Sequence, residues 1–500
     1  MAIDRRENAG ISTPPLMTAA RRLWITVVVL CLGQLMLTLD ATVANVALPA
    51  IQRDLKFSQS SLAWVVNGYL ITFGGALLLA GRLGDLLGRR NVFLAGLALF
   101  TFASLLCGLA NSQGLLIGAR GLQGVAAAGD SAMILAILVT LFADPRDTAK
   151  AVSIYTFVSV GGGTLGLLVG GALAQALSWH WIFFINLPIG AATLVLGVLL
   201  IPDHQGTGLR HGVDVLGALL VTATPALVVY TIIQASDNGW HSTRTLGLGG
   251  VAIVMALAFV LIEASSSNPL VPLRIFRSRT VVGANLVRAC LTFGMFGLFF
   301  LGALYLQRVL RYDALETGFA FLPLTLTVAV FSLFITRRVV ARLGARATLV
   351  AGAALSASGD LLFAHASVGG NYVTDVLPVF LLAGAGGGLA FMPTITLAMS
   401  GAGPGDSGLV SGLADVSSQL GAALGVAVLA SLATTRTTAL LARGQAANQA
   451  LTSGYDLGFG VAGGCVASAI VVVVAVLRSP PERSQATAED PRAAEAADAA

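Results

Sequence analysis

Apolar runs long enough to cross a membrane recur along almost the whole chain, and this restricts the fold more than any other feature. A helix rising 1.5 Å per residue needs about 20 apolar residues to span about 30 Å of hydrocarbon. About fourteen such runs are found, near residues 23–43, 60–80, 92–111, 114–141, 150–174, 180–201, 214–234, 246–265, 281–305, 317–337, 347–366, 375–399, 408–432 and 456–477. Hydrocarbon offers the backbone no hydrogen-bond partner, so each run is expected to be a helix. Only 11% of the 500 residues are charged, against about 25% in soluble domains. The expectation is an all-α polytopic membrane protein with no separate soluble domain.

The isoelectric point of about 9.3 would suit a nucleic-acid binder, but the basic residues follow membrane topology instead. With a cytoplasmic N-terminus, the inside segments carry Arg5, Arg6, Arg21, Arg22, Arg82, Arg89, Arg90, Arg146, Lys150, Arg210, Arg274, Arg277, Arg279, Arg337, Arg338, Arg342, Arg346, Arg478, Arg483 and Arg492. The outside loops carry Arg53, Lys56, Arg244, Arg308, Arg311, Arg436 and Arg443. That bias of about three to one is the positive-inside pattern, and it implies both termini in the cytoplasm and no nucleic-acid partner. Residues 1–22 form a cytoplasmic N-terminal segment, and the Ala-, Pro- and Glu-rich residues 478–500 form a disordered tail. Arg21-Arg22 precede a run too long for a cleaved signal, so the first run is a retained helix. Cys31, Cys107, Cys290 and Cys465 all fall inside apolar runs without histidine partners, so neither a disulfide framework nor a metal site is expected.

Charge inside the runs points to function. Asp40 lies in the first run, where an ionised side chain at the bilayer centre costs about 2.5–3.5 kcal/mol. Arg120 lies in the fourth run. Asp40 is about 26 Å from the inner surface and Arg120 is about six residues into a span descending from outside, so both reach the outer half and a pair is geometrically possible. Such a carboxylate can take a proton on one side and release it on the other, with a cationic substrate competing for it; a static pair joining spans one and four is the alternative. Gln123 shares the Arg120 face one turn on. Asp130 and Asp415 reach similar depths in the inner half, and are expected either to form a second proton or cation site or to bond local backbone and serines. Asp360 is expected to reach interfacial water, and Arg288 to snorkel to the inner surface. Trp64 reads as an interfacial aromatic, and Tyr69 as a contact for an aromatic or cationic cargo. Gly162, Gly166 and Gly170, with Gly171, leave one face of span five bare, for helix sliding at a gate or for ordinary packing.

The inside loops echo one another. Gly81-Arg82-Leu83-Gly84-Asp85-Leu86-Leu87-Gly88-Arg89-Arg90 follows span two, and Arg337-Arg338-Val339-Val340-Ala341-Arg342-Leu343-Gly344-Ala345-Arg346 follows span ten. A repeated turn in corresponding places suggests duplicated bundles.

Taken together, several segments resemble the major facilitator superfamily, in particular its fourteen-span drug/proton antiporter branch. They are the Gly81–Arg90 loop, Arg120-Gly121-Leu122-Gln123-Gly124, Gly162 to Gly171, Asp40 to Pro49, Trp179-His180-Trp181-Ile182-Phe183-Phe184-Ile185-Asn186-Leu187-Pro188, and Val410-Ser411-Gly412-Leu413. The resemblance extends from about Leu23 to Leu477. It implies a six-helix bundle over 23–201, a linker with two additional spans over 202–265, and a second six-helix bundle over 266–477. It also implies that Asp85, Arg89 and Arg90 latch the inner gate. Leu167 stands where the antiporter motif has proline, His180 where arginine is usual, Asp415 where asparagine is usual, and Asp130 where an apolar residue is usual.

The implied function is efflux of hydrophobic, cationic drugs or antibiotics across the inner membrane, by a monomer working by alternating access. No Gly-x-x-x-x-Gly-Lys phosphate loop occurs, so the proton gradient is the expected energy source and no cofactor is expected. Leu167 keeps open a facilitator, a flippase or a symporter of the same fold. A polytopic enzyme is the remaining alternative, but His180, His204, His211, His241 and His365 lack metal-ligand spacing or a nucleophile partner.

Overall fold

The computed structural model describes residues 19–477, apart from 204–205, 207, 209–214, 267–268 and 404–405. The expectations for residues 1–18, for the tail from 478 onward and for Arg210, His204 and His211 lie outside the described residues. Every regular element among the described residues is helical.

Six spans form the first bundle. They are α1 (Ala19–Leu55), α2 (Trp64–Leu87), α3 (Arg89–Gly108), α4 (Gln113–Leu138), α5 (Pro145–Ala176) and a sixth made of the short α6 (Trp181–Phe184) continued by α7 (Asn186–Leu200). Then come α8 (Val215–Asn238) and α9 (Thr243–Ser265). The second bundle holds α10 (Arg279–Arg308), α11 (Ala314–Ala320), α12 (Leu322–Val330), α13 (Thr336–Phe363), α14 (Leu377–Ser400), α15 (Ser407–Ala442) and α16 (Ala447–Val476). Helix α8 packs against both α2 and α15, while α9 packs chiefly on α8. Leu257 and Leu261 of α9 are accordingly 59% and 69% exposed, an apolar face suited to lipid.

Thirteen helical stretches among the described residues are long and apolar enough to cross a membrane. One of them, Ala314–Phe363, has 50 residues. At 1.5 Å per residue it would reach about 75 Å, more than twice the hydrocarbon thickness. Gly344 interrupts it with φ 79° and ψ 162°, a conformation costly for any residue with a Cβ. Two crossings therefore meet at Gly344, as the sequence expects for spans ten and eleven. Elsewhere the helices outrun the apolar runs. Helix α1 continues past residue 43 through Pro49 to Leu55, and α15 continues past 432 to Ala442. Hydropathy marks the stretch that needs lipid, whereas the helix continues wherever packing supports it.

Duplication is visible at atomic scale. Gly88 (φ 92°) ends α2 as Gly344 breaks α13. Two residues beyond each, Arg90 donates to Val198 O of α7 at 2.6 Å, and Arg346 to Val474 O of α16 at 2.6 Å. A methyl built on Gly96 of α3 would lie 3.0 Å from Ala126 O and 3.2 Å from Asp130 N of α4. One on Gly352 of α13 would lie 2.8 Å from Gly386 O and 2.9 Å from Ala390 N of α14. The two halves thus share a backbone approach that only glycine permits.

We call the end carrying the Gly81–Arg90 loop inner, from its arginines. Among the described residues, all hydrogen bonds joining the two bundles lie at the other, outer end. Gln307 donates to Val46 O at 2.9 Å, Gln175 donates to Asp313 Oδ2 at 2.8 Å, and Arg308 bonds Gln52. Gly171 of α5 lies against the backbone of Ala314 and Leu315. At the inner end, by contrast, Arg89 bonds Ala136 O at 2.9 Å and Arg90 bonds α7, both within their own bundle. The structure is closed on its outer side.

Gly162, Gly166 and Gly170 all face α1, against Thr38, Thr42 and Val43, so this stripe packs one bundle internally and only Gly171 meets the other. A side chain at Gly166 would run into Thr42 Oγ1 and Leu39 O. We predict that Gly166→Val destabilises the folded protein by about 1–3 kcal/mol. Gly118→Ala, which meets open space, should leave thermal melting in detergent unchanged or slightly raised.

Candidate functional site

Helices α1, α3, α4 and α7 bring a closed set of polar groups together inside the first bundle. The Arg120 guanidinium, 1% exposed, forms an ion pair with Asp40 Oδ2. It also donates through Nη1 to Gln123 Oε1 at 2.9 Å and through Nε to Val65 O at 3.0 Å. Gln123, one turn on, turns its amide to Asp40 Oδ1 at 3.1 Å and to Ser104 Oγ at 2.8 Å. Asn186 donates to the same Oδ1 at 3.0 Å. Asp40 therefore accepts from three side chains, and no water is needed to compensate its charge. Tyr69 lies under the guanidinium at 4.6 Å and Phe183 at 5.7 Å, so aromatic faces cover what the carboxylate does not. A lone arginine or aspartate here would be a buried, uncompensated charge; the pair and its amides remove that penalty.

The pairing of Asp40, Arg120 and Gln123 follows the depths read from the sequence. Asn186, Ser104, Tyr69 and Phe183 complete the site unforeseen. Asn186 and Phe183 sit in the Trp179–Pro188 motif, where an amide inside an apolar run was the available signal. Ser104 is indistinguishable in sequence from any helical serine. Tyr69, 2% exposed, encloses Arg120 and is not open to cargo. Trp64, half-buried at the start of α2, packs beside Tyr230 of α8, with ring centroids 6.3 Å apart.

Asp130 and Asp415 are not brought together. Asp130 is fully buried against Gly96 of α3, and neither carboxyl oxygen has a hydrogen-bond partner. Asp415, its side chain 53% exposed, pairs with Arg288 Nη2 at 3.4 Å. Arg288 does not snorkel: it is 6% exposed and stacks over Phe391 at 4.4 Å. Asp360 does not reach interfacial water either. It is 3% exposed and packed against Gly294 of α10, at the place that Ser104 holds in the first bundle by the Gly96–Gly352 register. At the outer rim, Trp179 donates to Asp54 Oδ2 at 2.8 Å and stacks on His180 at 3.8 Å. Burial lowers the His180 pKa, and the Asp54 charge works against that shift. Among the described residues no cluster of His, Cys, Asp and Glu could hold a metal ion.

Comparison with family models matches residues 30–426 to the Major Facilitator Superfamily. The chain belongs to that superfamily. It is a membrane transporter and not an enzyme. Relatives include a puromycin resistance protein of Streptomyces alboniger, 38% identical over 461 residues, covering 90% of this chain and 91% of that one. A cephamycin export protein of Amycolatopsis lactamdurans is 37% identical over 406 residues, covering 80% and 83%. Among solved structures, the transporter PepTSo superposes with TM-score 0.66 at 14% identity, covering 91% of this chain and 97% of that one. A bacterial homologue of the lysosomal transporter Spinster gives 0.65 at 15%, covering 92% and 99%. At such identities these two likenesses show the fold alone.

Within this major facilitator chain, the two bundles differ sharply in polarity. The register linking Ala126 to Gly386 and Asp130 to Ala390 puts Phe380 opposite Arg120 and Ala383 opposite Gln123. Phe380 stacks on Phe321 at 4.8 Å and meets Phe363 edge-on at 6.2 Å. The first bundle thus holds charge where the second holds aromatic rings.

Removing one partner leaves the other charge buried and unpaired, so removing both should cost less than the sum of the two single removals. We predict that Arg120→Ala and Asp40→Asn each destabilise by about 3–5 kcal/mol. The double variant should fall short of the sum by about 1–3 kcal/mol, as read from a double-mutant cycle of unfolding in mixed micelles.

Proposed function

We propose that this transporter exports hydrophobic, cationic small molecules of the antibiotic class from the cytoplasm or inner leaflet, in exchange for protons. It would do so as a monomer in the cell's inner membrane, with both termini cytoplasmic. The observation that carries the reading is the buried Asp40–Arg120 pair, a charge set inside the membrane and held by switchable hydrogen bonds. The relatives named for puromycin resistance and cephamycin export support the direction and the cargo class.

The geometry suggests how exchange would work. Helix α1 carries both Asp40 and the outer closure, because Val46 O accepts from Gln307 and Gln52 bonds Arg308. Asp40 and Val46 are six residues apart, about 9 Å along the helix. A proton reaching Asp40 would weaken its hold on Arg120, Gln123 and Asn186, free α1 to shift, and alter the outer closure on the same rigid element. Release of the proton would restore the Asp40 carboxylate, for which cationic cargo and Arg120 would then compete, and pairing with Arg120 would restore the lock. Each elementary charge moved across 100 mV supplies about 2.3 kcal/mol, enough for modest accumulation. Asp130 would add a second ionisable group along α4, while Asp415 with Arg288 would line the inner approach. Asp85, Arg89 and Arg90 would latch the inner end in the opposite state, when Arg89 and Arg90 leave their partners in α4 and α7.

One observation favours transport without proton exchange. Leu167 replaces the antiporter proline, and its carbonyl lies at the outer closure, 2.6 Å from where a Gly318 methyl would be. A straighter α5 at that seam fits a facilitator or flippase.

Inverted vesicles with a pH-reporting dye separate the readings. Adding lipophilic cations to energised vesicles should release protons, and Asp40→Asn should reduce that release at least about tenfold, the equivalent of 1.4 kcal/mol. Cargo movement without proton release would favour the facilitator. Full proton release in Asp40→Asn would move coupling to Asp130 or Asp415.

A further inference from the structure

We propose that the inner end of the second bundle holds a built site for the phosphate headgroup of an anionic phospholipid, formed by Arg337 and Arg338 above Leu333 and Phe334. These residues, with Ala341, line an open cleft of about 420 Å³. The site has both parts that such a lipid needs. Arg337 and Arg338 are exposed, and neither has an acidic partner among the described residues. One Arg338 nitrogen is anchored on Phe334 O at 2.6 Å, which leaves its other donors to meet a phosphate. Phe334 is 61% exposed beside them, an apolar surface at the depth where an acyl chain begins.

The internal repeat argues that this charge is more than the positive-inside requirement. Aligned on Gly88 and Gly344, Asp85 of the first loop corresponds to Ala341, Gly81 to Arg337 and Leu86 to Arg342. The first loop therefore carries three arginines and an aspartate, the second four arginines and no acid. Topology alone does not call for the loss of the acid. The backbone departs here too: Phe331–Ile335 form a π-helical turn between α12 and α13, a widening that often marks a functional site. Basic pockets on the cytoplasmic side of membrane proteins commonly take anionic headgroups. The occupant suggested by charge and exposed apolar surface together is a phospholipid such as phosphatidylglycerol, and not a free anion.

The test uses the full chain purified in neutral detergent, with thermal melting as the readout. Dioleoyl-phosphatidylglycerol should raise the melting temperature above that in phosphatidylcholine at equal concentration. Arg337→Gln/Arg338→Gln should lose at least half of that shift, and Arg337→Lys/Arg338→Lys should retain most of it. Arg277→Gln/Arg279→Gln, the same charge change elsewhere on the inner end, should keep the full shift. Photo-crosslinking of a phosphatidylglycerol analogue to wild type, mapped to Leu333 or Phe334, covers the case in which the double glutamine variant does not fold. An equal shift from soluble glycerol phosphate would overturn the lipid assignment. An equal loss in the Arg277/Arg279 control, or crosslinks mapping away from this cleft, would overturn the site itself.

Discussion

Arg120 bonded to Asp40 inside the first bundle is the interaction around which the rest of the structure is arranged. Either charge alone would be costly in a low-dielectric interior, so their neighbours are fixed by the need to compensate them. Gln123 and Asn186 complete the coordination of the carboxylate, Val65 O accepts from the guanidinium Nε, and Tyr69 and Phe183 cover the guanidinium. The ion pair joins α1 to α4, and its hydrogen-bond partners bring in α2, α3 and α7. The close backbone approach of α3 to α4 at Gly96 brings those helices near enough for a short side chain such as Ser104 to take part.

The comparison of the halves gives this arrangement its meaning. Two copies of one backbone pattern, each with a glycine turn at the inner end and a glycine contact between corresponding helices, carry different interiors. One copy holds ions and amides; the other holds stacked rings at Phe321, Phe380, Phe363 and Phe459. The ring stack at Phe380 has no titratable group of its own, whereas a hydrogen-bonded ion pair has more than one arrangement available; the buried ionisable groups of the second bundle include Asp360 and Arg288.

Much of the fold was legible in the sequence because lipid imposes a simple rule: every crossing must be helical and about 20 residues long. The rule located the crossings, including the pair on either side of Gly344, but not the ends of α1 or α15, which packing extends. Depth counting paired Asp40 with Arg120 because helical rise is nearly constant. It failed for Asp130 and Asp415, since depth does not say which way a side chain faces. Asp130 turns toward Gly96 and Asp415 toward Arg288, two directions that depend on helix rotation. Asp360 and Arg288 were misjudged for the same reason: position near a helix end suggested water, and neighbouring helices buried them. Asn186 was within reach, because an amide inside an apolar run is nearly as informative there as a charge.

The central claim is that Asp40 changes protonation when cargo binds. Cargo-induced infrared difference spectra of the reconstituted protein test it directly, by comparing wild type with Asp40→Asn. The account predicts a carboxylic-acid-to-carboxylate difference band in wild type, of reversed sign on cargo removal and absent from the variant. A wild-type spectrum without that band, or an identical band in Asp40→Asn, would contradict it.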